Sequence, residues 1–210
     1  RIAEPLERIY LTNDSRLAYS PDFKQAGRRA MKNAALSLLV QGGTGYGPQL
    51  AREQYQRAQN MTDRFAALTA VVTVWTEDAQ ALLGDFRTMY TADPLVFDKW
   101  LALNALAPDP AALDRIEALL ADPGFPRNNP NRLRALVGTF GMNNPAQFAR
   151  RDGAGFRFVA EFVADVDKRN PQVAARVLTA FRVWRSFEPT RQSEAEKALK
   201  SLQDSGELSR

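Results

Sequence analysis

Apolar positions in this chain recur at the three- and four-residue intervals of one side of a helix, and polar residues gather at the breaks between. After Pro171, the residues Val173, Val177, Phe181 and Trp184 follow at intervals of four, four and three. After Pro130, Leu133, Leu136, Val137 and Phe140 share a side. Arg134 and Arg176 stand at the flanks of these two stripes, near the boundary between core and outside. The breaks carry a common signal: Asp93-Pro94, Asp109-Pro110, Asn129-Pro130, Asn144-Pro145, Asn170-Pro171 and Glu188-Pro189. Proline at the first helical position forfeits no hydrogen bond, and a short polar side chain before it caps the free amides of the first turn. The starts from Pro94 to Pro189 fall 16, 20, 15, 26 and 18 residues apart. Each interval holds one helix and a short turn, so the pattern predicts an all-α fold, a superhelical array of antiparallel helix pairs of the HEAT/armadillo solenoid kind. A less regular helical domain is the competing arrangement, because no residue-level repeat motif accompanies the rhythm.

Upstream, residues 1–20 carry the short apolar patch Leu6, Ile9, Tyr10 and Leu11, a brief helix or a tether and entry segment. Ser20-Pro21 opens a helix to about Gln41, apolar on most faces from Ala34 to Val40. The glycine-rich Gly42-Gly43-Thr44-Gly45-Tyr46-Gly47 continues as Pro48-Gln49-Leu50, not as the Gly-Lys-Ser/Thr of a phosphate loop, and reads as a helix stop. A polar outer helix follows from Pro48 to Gln59, then an apolar one capped by Asn60 or Thr62 and reaching Trp75, then one from Glu77 towards Thr91 with Thr76 as its cap. Within Pro94 to Ala107, Asn104 interrupts the apolar surface and needs a hydrogen-bonding partner if buried. Pro110 to Ala121 is amphipathic, and Phe125 after it is either a plug between helices or a surface contact. Asp152-Gly153-Ala154-Gly155 reads as a flexible entry to a helix over 156–168. The last helix begins near Pro189, pairs Glu196 with Lys200, and leaves Ser209-Arg210 without a convincing cap.

Composition removes most chemistry. The 210 residues include no cysteine and no histidine, which excludes disulfides, thiolate nucleophiles, the usual zinc sites and the commonest catalytic base. The carboxylate neighbours Glu77/Asp78 need not converge and Asp165/Asp167 face different directions on a helix, so both pairs read as solvated surface or local capping and no catalytic or metal residue is assigned. No apolar run is of membrane length, and the net charge of +4 comes without the continuous basic face that nucleic acid requires. Arginines remain the candidates: Arg28/Arg29, Arg132/Arg134, Arg150/Arg151 and Arg176/Arg182/Arg185 are suited to carboxylates or phosphates, or else to a salt-bridged exterior.

Order and spacing then add a resemblance. Asn129-Pro130-Asn131-Arg132-Leu133-Arg134-Ala135-Leu136, followed by Asn144-Pro145, Asp152-Gly153-Ala154-Gly155 and Asn170-Pro171-Gln172-Val173-Ala174-Ala175-Arg176, resembles the carboxy-terminal domain of the bacterial aminopeptidase N family of M1 zinc metallopeptidases. The resemblance covers nearly the whole chain and is most specific from about 126 to 185. It implies that residues 1–210 are one helical domain cut from a larger enzyme, an entry segment over 1–20 and a helical array over 21–210. It implies a cytoplasmic parent whose upstream catalytic domain, absent here with its Gly-x-Met-Glu-Asn and His-Glu-x-x-His motifs, holds zinc and removes amino-terminal residues. The expected partners are that catalytic domain and peptide substrates. By correspondence of the surrounding phrases Arg134 and Arg176 face the substrate cavity, and Arg132 makes surface or interdomain contacts. An excised domain of this kind is expected to self-associate through uncovered apolar patches. The alternatives are a stand-alone helical adaptor and, more remotely, an independent hydrolase.

Overall fold

Short polar side chains set most of the helix starts. In the computed structural model, which describes residues 2–15, 17–43 and 45–205, Asp93 accepts from the amides of Leu95 and Val96, Asn129 from Asn131, Asn170 from Val173, and Glu188 from Thr190 and Arg191. Each leads into a proline at the first turn, as the sequence pattern predicts. Three starts fall later than expected, among them that of the helix after Thr76, which begins at Ala79 and not at Glu77. Asp22, not Ser20, caps the long second helix, because its carboxylate reaches the amides of Lys24 and Gln25 at 3.0 Å. Asp109 and Pro110 form a turn, and the helix after them begins at Ala112. Thr44 and the Ser209-Arg210 end lie outside the described residues.

All regular elements among the described residues are helical, and the chain divides into two compact units, Arg1–Phe86 and Arg87–Arg210. The first contains α1 (Ala3–Asn13), α2 (Phe23–Gln41), α3 (Gly47–Arg57), α4 (Met61–Val74) and most of α5 (Ala79–Met89). The entry segment is thus a helix. It packs on α2 and buries Tyr10. Helix α2 also packs on α3 and α4, around a core that includes Leu36, Leu39, Leu68 and Val71, which answers its many-sided apolar character. Helix α3 is not wholly an outer helix, since Leu50, Ala51, Gln54 and Tyr55 are buried. Asn60 is the cap of α4, and Trp75 closes it in the left-handed region at φ 52° instead of extending it.

The second unit contains α6 (Pro94–Leu106), α7 (Ala112–Ala121), α8 (Pro130–Leu133), α9 (Thr139–Asn143), α10 (Pro145–Phe148), α11 (Ala154–Asp167), α12 (Pro171–Leu178) and α13 (Pro189–Asp204). Its core gathers the predicted stripes with Leu101, Ile116 and Phe156. The Phe148 ring meets Phe156 and Phe181 edge-on, with centroids 4.9 and 5.3 Å away. Such edge-to-face aromatic pairs are favourable beyond the area they bury. Phe125 is buried in this core and acts as the plug. Buried Asn104 donates to the Trp100 carbonyl at 2.8 Å, one turn back. Two stretches depart from α geometry: a π turn over Arg134–Gly138 joins α8 to α9, and a 3-10 helix over Thr179–Ser186 continues α12.

The expected flexible entry to α11 is instead a fixed one. Gly153 caps the helix at φ 71°, and a Cβ on Gly155 would stand 2.3 Å from the Gln147 carbonyl oxygen and 2.4 Å from that of Phe148. Close backbone approach, not mobility, requires glycine here.

Candidate functional site

Arg134 and Arg176 come from elements that touch. The π turn that begins at Arg134 packs against α12, which carries Arg176, while α9 packs against the 3-10 helix. The approach is close because Gly141 faces Ala180: a Cβ on that glycine would lie 2.9 Å from the Ala180 methyl. Thr179 donates its hydroxyl to the Arg176 carbonyl at 2.6 Å, and the same oxygen lies 3.7 Å from the Met142 sulfur. Arg134, Met142, Arg176 and Thr179 are all exposed. The result is a seam between two helical stretches with a guanidinium on each side.

The two arginines differ electrostatically from most of their neighbours. Arg115, Arg150, Arg151, Arg157, Arg169 and Arg191 all pair with carboxylates. Arg134 and Arg176 have no ion pair among the described residues. Arg134 donates Nε to the Pro130 carbonyl at 3.3 Å and Nη2 to the Asn131 amide oxygen, both neutral acceptors. Those bonds orient the side chain and leave its charge uncompensated. A π turn inserts one residue into the helical ladder and often marks a functional position.

Arg132 is not a surface residue. It is 9% exposed, donates to the Pro94 carbonyl at 2.8 Å, forms an ion pair with Asp98, and sits 4.9 Å over the Phe97 ring. Arg87 covers Phe97 as well, at 4.5 Å. Positions two apart on a helix point to different faces, so Arg132 anchors α8 to α6 while Arg134 stays outside. Met142 and Thr179 had no assigned role from sequence. The spacing by fours of Arg134, Gly138 and Met142 was the available signal.

The acidic neighbours are occupied structurally. Asp78 pairs with Arg52, whose hydrogen bond is the main cause of its lowered pKa, and accepts from the Thr76 hydroxyl at 2.8 Å. Asp165 pairs with Arg169 one turn on. No group of three metal-ligating side chains occurs among the described residues, and none of their helices is long and apolar enough to cross a membrane.

Comparison with known proteins is consistent along the chain. A family described as a domain of unknown function with ARM repeats, DUF3458_C, matches residues 1–210. Aminopeptidase N of Escherichia coli (strain K12) is 34% identical over 208 residues, covering 99% of this chain and 24% of that protein. Aminopeptidase N of Caulobacter vibrioides is 39% identical over 173 residues, 81% of this chain and 20% of the relative. The Haemophilus influenzae aminopeptidase N is 38% identical over 174 residues, with coverages of 83% and 20%. The chain therefore spans about a fifth to a quarter of the length of these relatives. Among solved structures, Legionella pneumophila aminopeptidase A in complex with aspartic acid superposes with a TM-score of 0.83 at 27% identity, over 97% of this chain and 25% of that one.

Proposed function

The chain belongs to this ARM-repeat family and is a C-terminal helical domain related to the M1-family aminopeptidase N, and from that premise we propose that it forms the non-catalytic wall of a zinc aminopeptidase. The wall closes over the active-site cavity of the upstream catalytic domain and limits entry to peptide ends. That upstream domain removes amino-terminal residues, and by the same kinship the parent works in the cytoplasm. The residues of this chain do not fit the metal: histidine and cysteine are absent from it and no acidic cluster replaces them among the described residues, which supports placing zinc in the upstream part.

One observation carries the role of the seam. Arg134 and Arg176 are exposed, uncompensated guanidiniums on two elements packed together, which suits them to the carboxylate end or main-chain oxygens of a peptide in the enclosed cavity. The partners are thus the catalytic domain of the same parent and the peptide itself. Exposed Phe23, Leu95 and Ile2 supply apolar surface through which the excised domain self-associates.

The test mixes the 210-residue chain with the separately expressed catalytic portion and follows binding together with zinc-dependent peptide turnover. The expected result is saturable assembly with altered turnover, and a rise in KM of about tenfold for Arg134→Ala or Arg176→Ala with peptides bearing a free carboxylate. Peptides amidated at that end respond less. Two folded parts that neither associate nor change turnover would return the chain to the stand-alone adaptor reading.

A further inference from the structure

The first unit holds a cavity of about 390 Å³, bordered by the end of α1, by α2, and by the turn between α3 and α4. That is room for a small molecule, beyond what a single ion needs. Its lining carries four cationic side chains, Arg28, Arg29, Lys32 and Arg57, against two carboxylates, Asp14 and Asp63.

The network behind the cavity neutralises only part of this charge. Lys32 is 5% exposed and is held between Asp63, Nζ to Oδ2 at 2.9 Å, and Asp14, Nζ to Oδ1 at 3.2 Å. Asn33 and Asn60 donate to the same Asp63 carboxylate at 3.0 and 3.1 Å. Arg29 is committed to protein oxygens, donating to the Ser20 carbonyl at 2.9 Å and lying 4.8 Å over the Tyr19 ring. Arg28 and Arg57 remain, both exposed and both without an ion pair among the described residues; Arg57 donates Nε to the Glu53 carbonyl at 3.3 Å. Acceptors await a donor in the same lining. The Asp14 side chain is 31% exposed, with Oδ2 outside its bond to Lys32, and Gln54 Oε1 is buried with no donor among the described residues.

We propose that this cavity is a binding site for a small acidic amino acid or peptide end, its carboxylates held by Arg28 and Arg57 and its ammonium directed to the Asp14 and Gln54 side. Guanidinium forks match carboxylates. The cationic excess of the lining favours a ligand of net negative charge, and the acceptors distinguish an amino acid from a plain dicarboxylate. The site lies wholly in the first unit and does not depend on the function proposed above.

Titration calorimetry on the intact 210-residue chain tests it, with L-glutamate, glutarate and inorganic phosphate as probes. Glutamate gives a saturable heat, glutarate binds about tenfold more weakly for lack of the ammonium, and phosphate is weaker than glutamate. Arg28→Gln and Arg57→Gln each weaken glutamate about tenfold while melting at the wild-type temperature, and Lys24→Gln, outside the cavity, leaves binding unchanged. No saturable heat at millimolar glutamate overturns the proposal, as does glutarate or phosphate binding equally well, or indifference to both arginine substitutions.

Discussion

Asn144 is the residue whose removal tests the packing of the second unit most sharply. It is 2% exposed and caps α10 by accepting from the Gln147 amide at 3.2 Å. Its Nδ2 also donates to the carbonyls of Ala105 and Ala107, both at 2.8 Å, satisfying oxygens that the end of α6 leaves without helical partners. Gln147 extends the clasp by donating to the Pro108 carbonyl at 2.6 Å. Asn144→Ala removes a cap, about 1 kcal/mol, and strands two buried carbonyls at about 1–3 kcal/mol each. Partial relaxation brings the sum to about 4 kcal/mol, or a fall in Tm of about 15 °C at this size. Asn129 looks the same in sequence but is less buried and serves only the Asn131 amide, so Asn129→Ala costs about 1 kcal/mol and about 4 °C. Asn144→Asp is damaging too, because an ionised carboxylate has no proton to offer the two carbonyls. The assay is thermal unfolding of the three variants followed by far-ultraviolet circular dichroism. Equal melting of Asn144→Ala and Asn129→Ala would refute the clasp and reduce Asn144 to an ordinary cap.

Other outcomes follow from single contacts. Gly155→Ala drives a methyl into two backbone carbonyls that cannot turn aside and lowers stability by about 3 kcal/mol, whereas Gly138→Ala, whose nearest neighbour would be 3.6 Å away, melts no lower than wild type; denaturation midpoints in urea separate the two. Burial pushes the Asp63 carboxyl up, but hydrogen bonds from Lys32, Asn60 and Asn33 outweigh it and leave the pKa below its usual value. Its folded-state pKa being depressed, the stabilisation is fully present above about pH 4 and is lost as pH falls through the folded value. The Tm gap between wild type and Asp63→Asn therefore narrows as pH is lowered below about 4, and a constant gap down to pH 2.5 speaks against the carboxylate's role.

The helical class, most helix starts and the core stripes were legible in the sequence because capping and amphipathic spacing act within one or two turns of chain. Asn170 caps its own helix whatever packs against it, and Val173, Val177 and Phe181 share a side by the pitch of the helix alone. The flank positions of Arg134 and Arg176 were readable for the same reason. Tertiary structure decided what those local signals could not encode. It made Asn144 a clasp between segments nearly forty residues apart, drew Arg132 inward onto Phe97 and Asp98, and fixed the start of α11, expected as a flexible entry, by a close contact at Gly155. It also wound a π turn at Arg134 and a 3-10 helix after Leu178, where one uninterrupted helix each was expected. For Asn144, Arg132 and Gly155 the deciding atoms are supplied by another segment of the chain, so the energy depends on which surfaces meet, while a cap or a stripe is determined before any surface meets another.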